Sequence, residues 1–156
     1  MKKIFSALIL VLLLLAALTS CEADLSHKHF CDNFGVCKTC FEDVCNPLFG
    51  STGKLSSGDV FAKDGEKLYF RFKPNGDGKT VITVRCGSAV MESSVIDFYT
   101  KSSYGLITTP LFSEDESIKK VRIDSALDKN ETYYFSFTIK SRGTVIVEAD
   151  CHISDM

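Results

Sequence analysis

Histidine is scarce in this chain of 156 residues, which contains three. His27 and His29 are near the N-terminus, and His152 is near the C-terminus. A Ser–His or Cys–His catalytic pair would therefore have to recruit a histidine from one end of the chain. No residue pattern indicates such a pair, so we predict that the protein is not an enzyme.

Clusters of basic residues and a second long apolar run are also lacking. The 18 Lys and Arg residues are spread along the chain against 20 Asp and Glu, for a net charge of −2. Nucleic-acid binding would need basic residues grouped on one face, so we expect no such partner. The one long apolar run, residues 4–18, is shorter than the roughly twenty residues of a membrane-spanning helix. We therefore expect no transmembrane helix.

The apolar run instead has the form of an export signal. Lys2 and Lys3 precede it, and the small polar residues Thr19 and Ser20 follow it. We predict that residues 1–20 form a signal peptide, with an end at residue 23 as the alternative. Without the two lysines the counts are 16 basic and 20 acidic residues, a net charge near −4.

Two processing routes remain open. The sequence Leu18-Thr19-Ser20-Cys21 resembles the lipobox of bacterial lipoproteins, which implies lipidation of Cys21 and an anchor at the cell surface. Cleavage after Ala23 would instead release a secreted, extracellular protein. Either route withdraws Cys21 from disulfide formation and leaves six cysteines, an even number that suits three bridges.

Four of these six cysteines fall in the cysteine-rich segment 24–50. In an oxidising compartment such a group is expected to form disulfides. Positions 37, 40, 41, 44 and 45 lie on one stripe of a helix. Asp32 or Asn33 could cap this helix, and Asn46-Pro47 would end it. We predict a short helix pinned by disulfides through Cys31, Cys37, Cys40 and Cys45. A bond between Cys37 and Cys40 is not expected, because a helix would place them one turn apart.

From residue 59 onward the apolar residues recur at every second position. Residues 68–72 and 133–140 alternate in this way, and residues 74–78 contain the hairpin signal Asn-Gly. Six or more short strands separated by turns predict an all-β domain over residues 59–153. The expected architecture is an antiparallel, jelly-roll-like β-sandwich beside the helical segment.

Cys86 and Cys151 both lie on the inward phase of their predicted strands. A bridge between them would close a loop of about 65 residues and contribute about 4 kcal/mol in the chain-entropy model. Six cysteines allow fifteen pairings, so this connectivity is a hypothesis.

Two motifs have a chemical and a structural interpretation. Cys37-Lys38-Thr39-Cys40 has the spacing of a thiol–disulfide exchange motif, but the strand–helix context of such enzymes is absent, so we predict structural disulfides. His27 and His29, with Cys31, could ligate zinc or copper. We interpret them as part of a solvated tail and predict no metal and no cofactor.

The surface offers two further candidate sites. Tyr69, Tyr99 and Tyr134 share the outward phase of their strands and are candidate binding residues. The alternative is that they are covered by a second sheet or a neighbouring loop. Asn130-Glu131-Thr132 is a glycosylation sequon at a predicted turn, so Asn130 is a candidate glycosylation site in a eukaryotic source.

Three sequence patterns between residues 59 and 150 are typical of one extracellular family. They are the strand 68–72, the run Ile96-Asp97-Phe98-Tyr99, and residues 132–137 followed by Gly143-Thr144-Val145-Ile146-Val147. In these the chain resembles the pre-peptidase C-terminal (PPC) domain family. The resemblance implies a β-sandwich that accompanies catalytic domains and binds substrates or partners without performing chemistry. It implies no particular ligand-binding residue.

Together these observations predict a non-catalytic extracellular module that binds a protein or a carbohydrate. One alternative is a β-sandwich that holds a lipid or other apolar ligand between its sheets, which the twelve phenylalanines would permit. A less favoured alternative is a thiol–disulfide oxidoreductase that acts through Cys37 and Cys40.

Overall fold

The structure, a computed structural model, describes residues 31–76, 78–93, 95–101, 107–110, 112–113, 117–123 and 127–153. The predicted signal peptide, Cys21, His27 and His29 lie outside the described residues. Within the described part of the chain there are twelve β-strands and no helix. The strands are β1 Asn46–Pro47, β2 Phe49–Ser51, β3 Lys54–Ala62, β4 Lys67–Phe72, β5 Lys79–Cys86, β6 Val90–Met91, β7 Val95–Thr100, β8 Ile107–Pro110, β9 Phe112–Ser113, β10 Ile118–Ile123, β11 Tyr133–Ser141 and β12 Gly143–Ile153.

The strands form two six-stranded sheets. The first sheet has the order β1-β4-β11-β7-β8, and β6 also pairs with β11. The second sheet has the order β2-β3-β12-β5-β10-β9. All pairings are antiparallel except that of β1 with β4. The prediction of an all-β, mostly antiparallel chain is therefore confirmed.

One core lies between the two sheets. The first sheet contributes Phe70, Phe72, Phe98, Phe135 and Phe137, all nearly inaccessible to solvent. The second sheet contributes aliphatic side chains to the same cluster, among them Ile82, Val84, Val121, Val145 and Val147. These are the residues that alternation assigned to the inward phase. Each buried side chain of this size contributes about 1.5–3 kcal/mol through the removal of apolar surface from water.

The prediction of a helix in the cysteine-rich segment is wrong. Residues 31–45 form an irregular hairpin with isolated bridges between Cys31 and Cys37 and between Val36 and Asp43. One carboxylate oxygen of Asp32 accepts hydrogen bonds from the N–H groups of residues 34 and 36, at 2.8 and 3.0 Å. Gly35 has a φ of +78°, outside the range of a right-handed helix. A turn made by Asp32 and Gly35 thus replaces a helix too short to be stable alone.

The predicted bridge between Cys86 and Cys151 is also incompatible with the structure. Cys86 lies opposite Val145, whereas Cys151 follows Asp150, which lies opposite Val81. Cys151 therefore lies near the level of Thr80, about six residues of β5 from Cys86, or roughly 20 Å at 3.3 Å per residue. A disulfide needs Cα atoms within about 7 Å. Each cysteine is near the C-terminal end of its strand, and antiparallel pairing places those ends apart.

Candidate functional site: a polar pocket beside the cysteine-rich hairpin

The outer face of the first sheet is divided into a covered half and an open half. The outward residues of β4, β11 and β7 form this face, because their neighbours point into the core. Residues 31–45, here called the cover, pack on one half. The other half is a pocket.

The cover lies on two tyrosines. Tyr69 and Tyr134 are 7% and 6% exposed and form a small cluster with Cys45, against which Phe34 and Val44 pack. The rings of Phe34 and Tyr134 meet edge to face with centroids 5.1 Å apart, a favourable arrangement for aromatic rings.

Charged groups at the margin hold the cover in place. Asp43 of the cover forms an ion pair with Arg71 of β4. The Lys101 ammonium is 5.4 Å from the centroid of the Tyr134 ring and 5.7 Å from that of Phe34. At such distances a cation is attracted by the ring face.

The prediction of an exposed tyrosine surface is therefore wrong for Tyr69 and Tyr134. Their side chains do point outward, but a neighbouring loop covers them, which is the alternative interpretation. Tyr99 is half-buried, packs against the same cluster and also borders the open half of the face. It is the one predicted binding residue of the three that lines the pocket.

The open half is a pocket of about 360 Å³. It forms where β6 and β7, which both pair with β11, are separated in the sequence by residues 92–94. The Glu92 N–H donates to the Thr138 carbonyl at 2.9 Å, and the Thr138 N–H donates to the Ser93 hydroxyl at 3.2 Å. The Ser93 side chain thus replaces a backbone acceptor at the break and holds the pocket wall on β11.

The pocket lining is polar and contains charges of both signs. Hydroxyl groups come from Ser93, Ser136, Thr138 and Tyr99, and the charged residues are Lys67, Glu92 and Asp97. Burial, and next the negative charge of Asp97, raise the pKa of Tyr99, so its phenol remains a hydrogen-bond donor in ordinary buffers. The lining therefore offers many donors and acceptors with little apolar surface.

Three cysteines of the cover, Cys31, Cys40 and Cys45, are in surroundings that disfavour the thiolate. Burial, then the neighbouring Cys37 and Asp32, raise the pKa of Cys31. The pKa of Cys40 is raised as well: a hydrogen bond from the Glu42 backbone lowers it, but contact with the Cys37 thiol, burial and nearby negative charge outweigh that effect. Burial raises the pKa of Cys45 to about 12. Thiol–disulfide exchange enzymes use the opposite arrangement, a lowered thiol pKa.

The remaining predicted sites have simple surroundings. Asn130 is exposed in a turn, where its N–H donates to the Asp128 carboxylate at 2.8 Å. Among the described residues no group of three or more His, Cys, Asp or Glu is arranged to hold a metal ion. In the same residues no helix is long and apolar enough to cross a membrane.

Sequence reasoning missed most of the pocket. Lys67, Glu92, Ser136 and Thr138 are ordinary outward residues of strands and loops, and only strand pairing brings them together. The one local signal was the polar stretch Glu92-Ser93-Ser94, which interrupts an otherwise apolar alternation.

Comparison with known proteins assigns no relative. No protein-family model matches the chain, and no curated protein matches its sequence. The resemblance to the PPC domain family therefore stays a prediction.

Proposed function

We propose that the protein is an exported, non-catalytic binding module whose pocket takes a polyhydroxylated ligand, a carbohydrate. The observation that carries the proposal is the pocket between Lys67 and Asp97. A sugar presents alternating hydroxyl donors and acceptors around a ring, and this lining offers hydroxyls, carboxylates, an ammonium group and the edge of Tyr99. Placed polar groups of this kind give a concave site its specificity. A jelly-roll-like sandwich, as in the PPC resemblance, is a fitting scaffold.

The interior supports a carbohydrate ligand on the surface more than a lipid between the sheets. The rings of Phe70, Phe135 and Phe137 stack with centroids 5.2–5.5 Å apart, and Phe98 lies 5.2 Å from Phe135. These side chains are at most 1% exposed. An apolar ligand in this position would have to displace them. Lipid that co-purifies in native mass spectrometry would favour the alternative.

The pocket chemistry favours binding without catalysis. Its lining contains no histidine and no cysteine. The thiols of Cys31, Cys40 and Cys45 have raised pKa values, whereas exchange chemistry uses a lowered thiol pKa. An insulin-reduction assay with turnover that is lost in Cys37→Ser would support the oxidoreductase alternative.

A protein ligand is the second candidate, and one residue favours it. Phe41, at the tip of the cover, is 78% exposed and has a φ of 60°. A bulky residue in the left-handed region is uncommon and strained. The hydrogen bond from its N–H to the Cys37 carbonyl at 2.9 Å holds the backbone of this turn. Exposed aromatic side chains are frequent anchors in protein interfaces.

The carbohydrate proposal is tested by ligand-observed NMR with a panel of neutral, acidic and amino-bearing saccharides. We expect saturation transfer to at least one sugar. Thr138→Val keeps the side-chain shape but removes a hydroxyl from the pocket, so binding should weaken roughly 3- to 10-fold, as for one lost hydrogen bond. The matched control is Thr144→Val on the outer face of the second sheet, which should bind normally.

Three results would contradict the proposal. Absence of binding across the panel would argue against a carbohydrate ligand. Equal loss in Thr138→Val and Thr144→Val would place the binding site elsewhere. Hydrolysis of a bound saccharide would show that the protein is an enzyme.

A further inference from the structure

We propose that the pocket selects saccharides that bear an ammonium group, and that Glu92 and Asp97 determine this specificity. The inference rests on the proposed function of the pocket as a carbohydrate site. It goes further because it names the chemical class of the sugar. That class is an amino sugar with a free amine, in preference to a neutral or an acidic sugar.

The register of the first sheet fixes which lining groups lie side by side. On the outer face, Thr138 of β11 is paired with Lys67 of β4. The next outward residue of β11, Ser136, is paired with Asp97 of β7 on its other side. The Glu92 N–H donates to the Thr138 carbonyl in the gap between β6 and β7, so Glu92 also lies on the β7 side. Two hydroxyl groups therefore form the middle of the pocket, with a cation on one side and two carboxylates on the other.

The positive and negative charges of the lining are kept apart. The strands β4 and β7 pair with opposite edges of β11, so they lie about 10 Å apart, or two strand spacings. The Lys67 ammonium is 5.4 Å from the centroid of the Tyr69 ring, whose face attracts it toward the cover. Among the described residues, the Glu92 carboxylate has no hydrogen-bond or ion-pair partner. The β7 side of the pocket is therefore a region of negative charge next to hydroxyl groups.

An ammonium group matches the β7 side of the pocket. Glu92 and Asp97 lie beside residues two positions apart on one strand, which corresponds to about 7 Å along β11. An ammonium has three N–H donors and no acceptor, so between these residues it can donate to both carboxylates. The hydroxyl of Tyr99, the next outward residue of β7, supplies a third acceptor. A neutral sugar hydroxyl gains less here, because hydrogen bonds between charged partners are about twice as strong as neutral ones.

An acidic sugar is the converse candidate, since its carboxylate would be attracted to Lys67. The lining favours it less for two reasons. One lysine against two carboxylates gives the pocket a net charge of −1. The lysine ammonium is also directed along β4 toward the Tyr69 ring, away from the carboxylates on the β7 side.

Matched pairs of sugars test the inference. Glucosamine, galactosamine and mannosamine differ from glucose, galactose and mannose at one position, where an ammonium replaces a hydroxyl. NMR titration gives the Kd of each member of a pair. We expect at least one amino sugar to bind about 10-fold more tightly than its parent at low salt, the gain from a charge-assisted hydrogen bond. The preference should decrease as the salt concentration rises.

Substitutions in the lining test which residues cause the preference. Glu92→Gln and Asp97→Asn keep the side-chain shape and remove one negative charge each, so each should lower the preference for the amino sugar about 3- to 5-fold. Lys67→Gln should raise the preference, because it removes the positive charge from the lining. Glu92 is exposed in the loop after β6, so Glu92→Gln tests the inference even where Asp97→Asn loses stability.

The matched control is Asp59→Asn. Asp59 is exposed on β3 and is paired with Ile146 on the outer face of the second sheet. The substitution makes the same change in net charge far from the pocket, so the preference for the amino sugar should stay as in the wild type.

The possible failures are distinguishable. Equal affinity for amino sugar and parent in all three pairs would overturn the inference and leave the carbohydrate site in place. Tighter binding of glucuronic acid than of glucosamine, or equal effects of Glu92→Gln and Asp59→Asn, would do the same. Ethanolamine bound as tightly as the amino sugars would overturn the proposed function and leave the charge selection in place. Absence of binding by every sugar would overturn both.

Discussion

The interior between the sheets and the contact beneath the cover both bury aromatic rings, but by different means. In the interior, rings from neighbouring strands pack against one another and against aliphatic residues of the facing sheet. Beneath the cover, Tyr69 and Tyr134 are buried by an irregular segment that depends on a glycine, cysteines and an ion pair. The interior is held together by many similar apolar contacts, so no single one is essential. The cover depends on a few particular contacts. The sheets are therefore expected to stay folded when a single contact of the cover is removed.

The difference between the interior and the cover is tested most strongly by removing one aromatic ring from each of them. Phe135 lies within 5.2–6.1 Å of the rings of Phe70, Phe72 and Phe98, so Phe135→Ala should leave a cavity and lower the free energy of unfolding by about 3–5 kcal/mol. Phe34→Ala, in the cover, should lower it by only about 1 kcal/mol, near the value of one aromatic pair. Urea unfolding measures both. Equal losses would mean that the cover is part of the cooperative core.

The same division explains what the sequence could predict. Alternation in residues 68–72 and in β11 identifies strands and their inward faces, because one face of a sheet must be apolar. For residues 31–45 the local sequence is compatible with either a short helix or a turn. The outcome depends on Asp32, on Gly35 and on the tyrosine surface that the hairpin meets. Nothing in local periodicity encodes that surface.

Strand order is the second feature that the sequence does not reveal. It explains why the bridge between Cys86 and Cys151 was wrongly predicted and why the pocket was not predicted. Inward phase was correctly assigned to Cys86 and Cys151, and both are buried. The distance between them depends on the register in which β5 and β12 pair. The alternation of apolar residues does not predict that register. Ser93 and Thr138 likewise come together only because β6 and β7 share β11 as a partner.

A second prediction concerns these two core cysteines. Because they lie far apart in one sheet, Cys86→Ala and Cys151→Ala should each cost about 1–2 kcal/mol of unfolding free energy, as small buried apolar groups do. The double variant should lose the sum of the two, since distant sites are additive. Denaturant unfolding of the three variants provides the measurement. A double variant no less stable than either single one would instead indicate a shared disulfide.

The smallest expected effect concerns the ion pair that holds the cover. Burial opposes ionisation of Asp43, but hydrogen bonds from Arg71 and from the Cys45 N–H, together with the positive charges of Arg71 and Lys101, outweigh it and lower the Asp43 pKa. A lowered pKa in the folded state means that the stabilisation is present above the unfolded value, near 4, and is lost as the pH falls through the folded value. Both side chains are partly exposed, so the contribution is at most about 1 kcal/mol.

Asp43→Asn should therefore lower stability slightly at pH 7 and leave it unchanged at about pH 2, where the wild-type carboxyl group is protonated. Urea unfolding at the two pH values measures this difference. Glu148→Gln, which removes an exposed pair with Arg85 on the second sheet, is the matched control for the cover. Acetylation of tyrosines with N-acetylimidazole should increase in Asp43→Asn at pH 7 and not in Glu148→Gln, because of these two ion pairs only that of Asp43 joins the cover to the sheet. Equal tyrosine reactivity in the two variants would mean that the apolar contacts of the cover hold it in place without help from the ion pair.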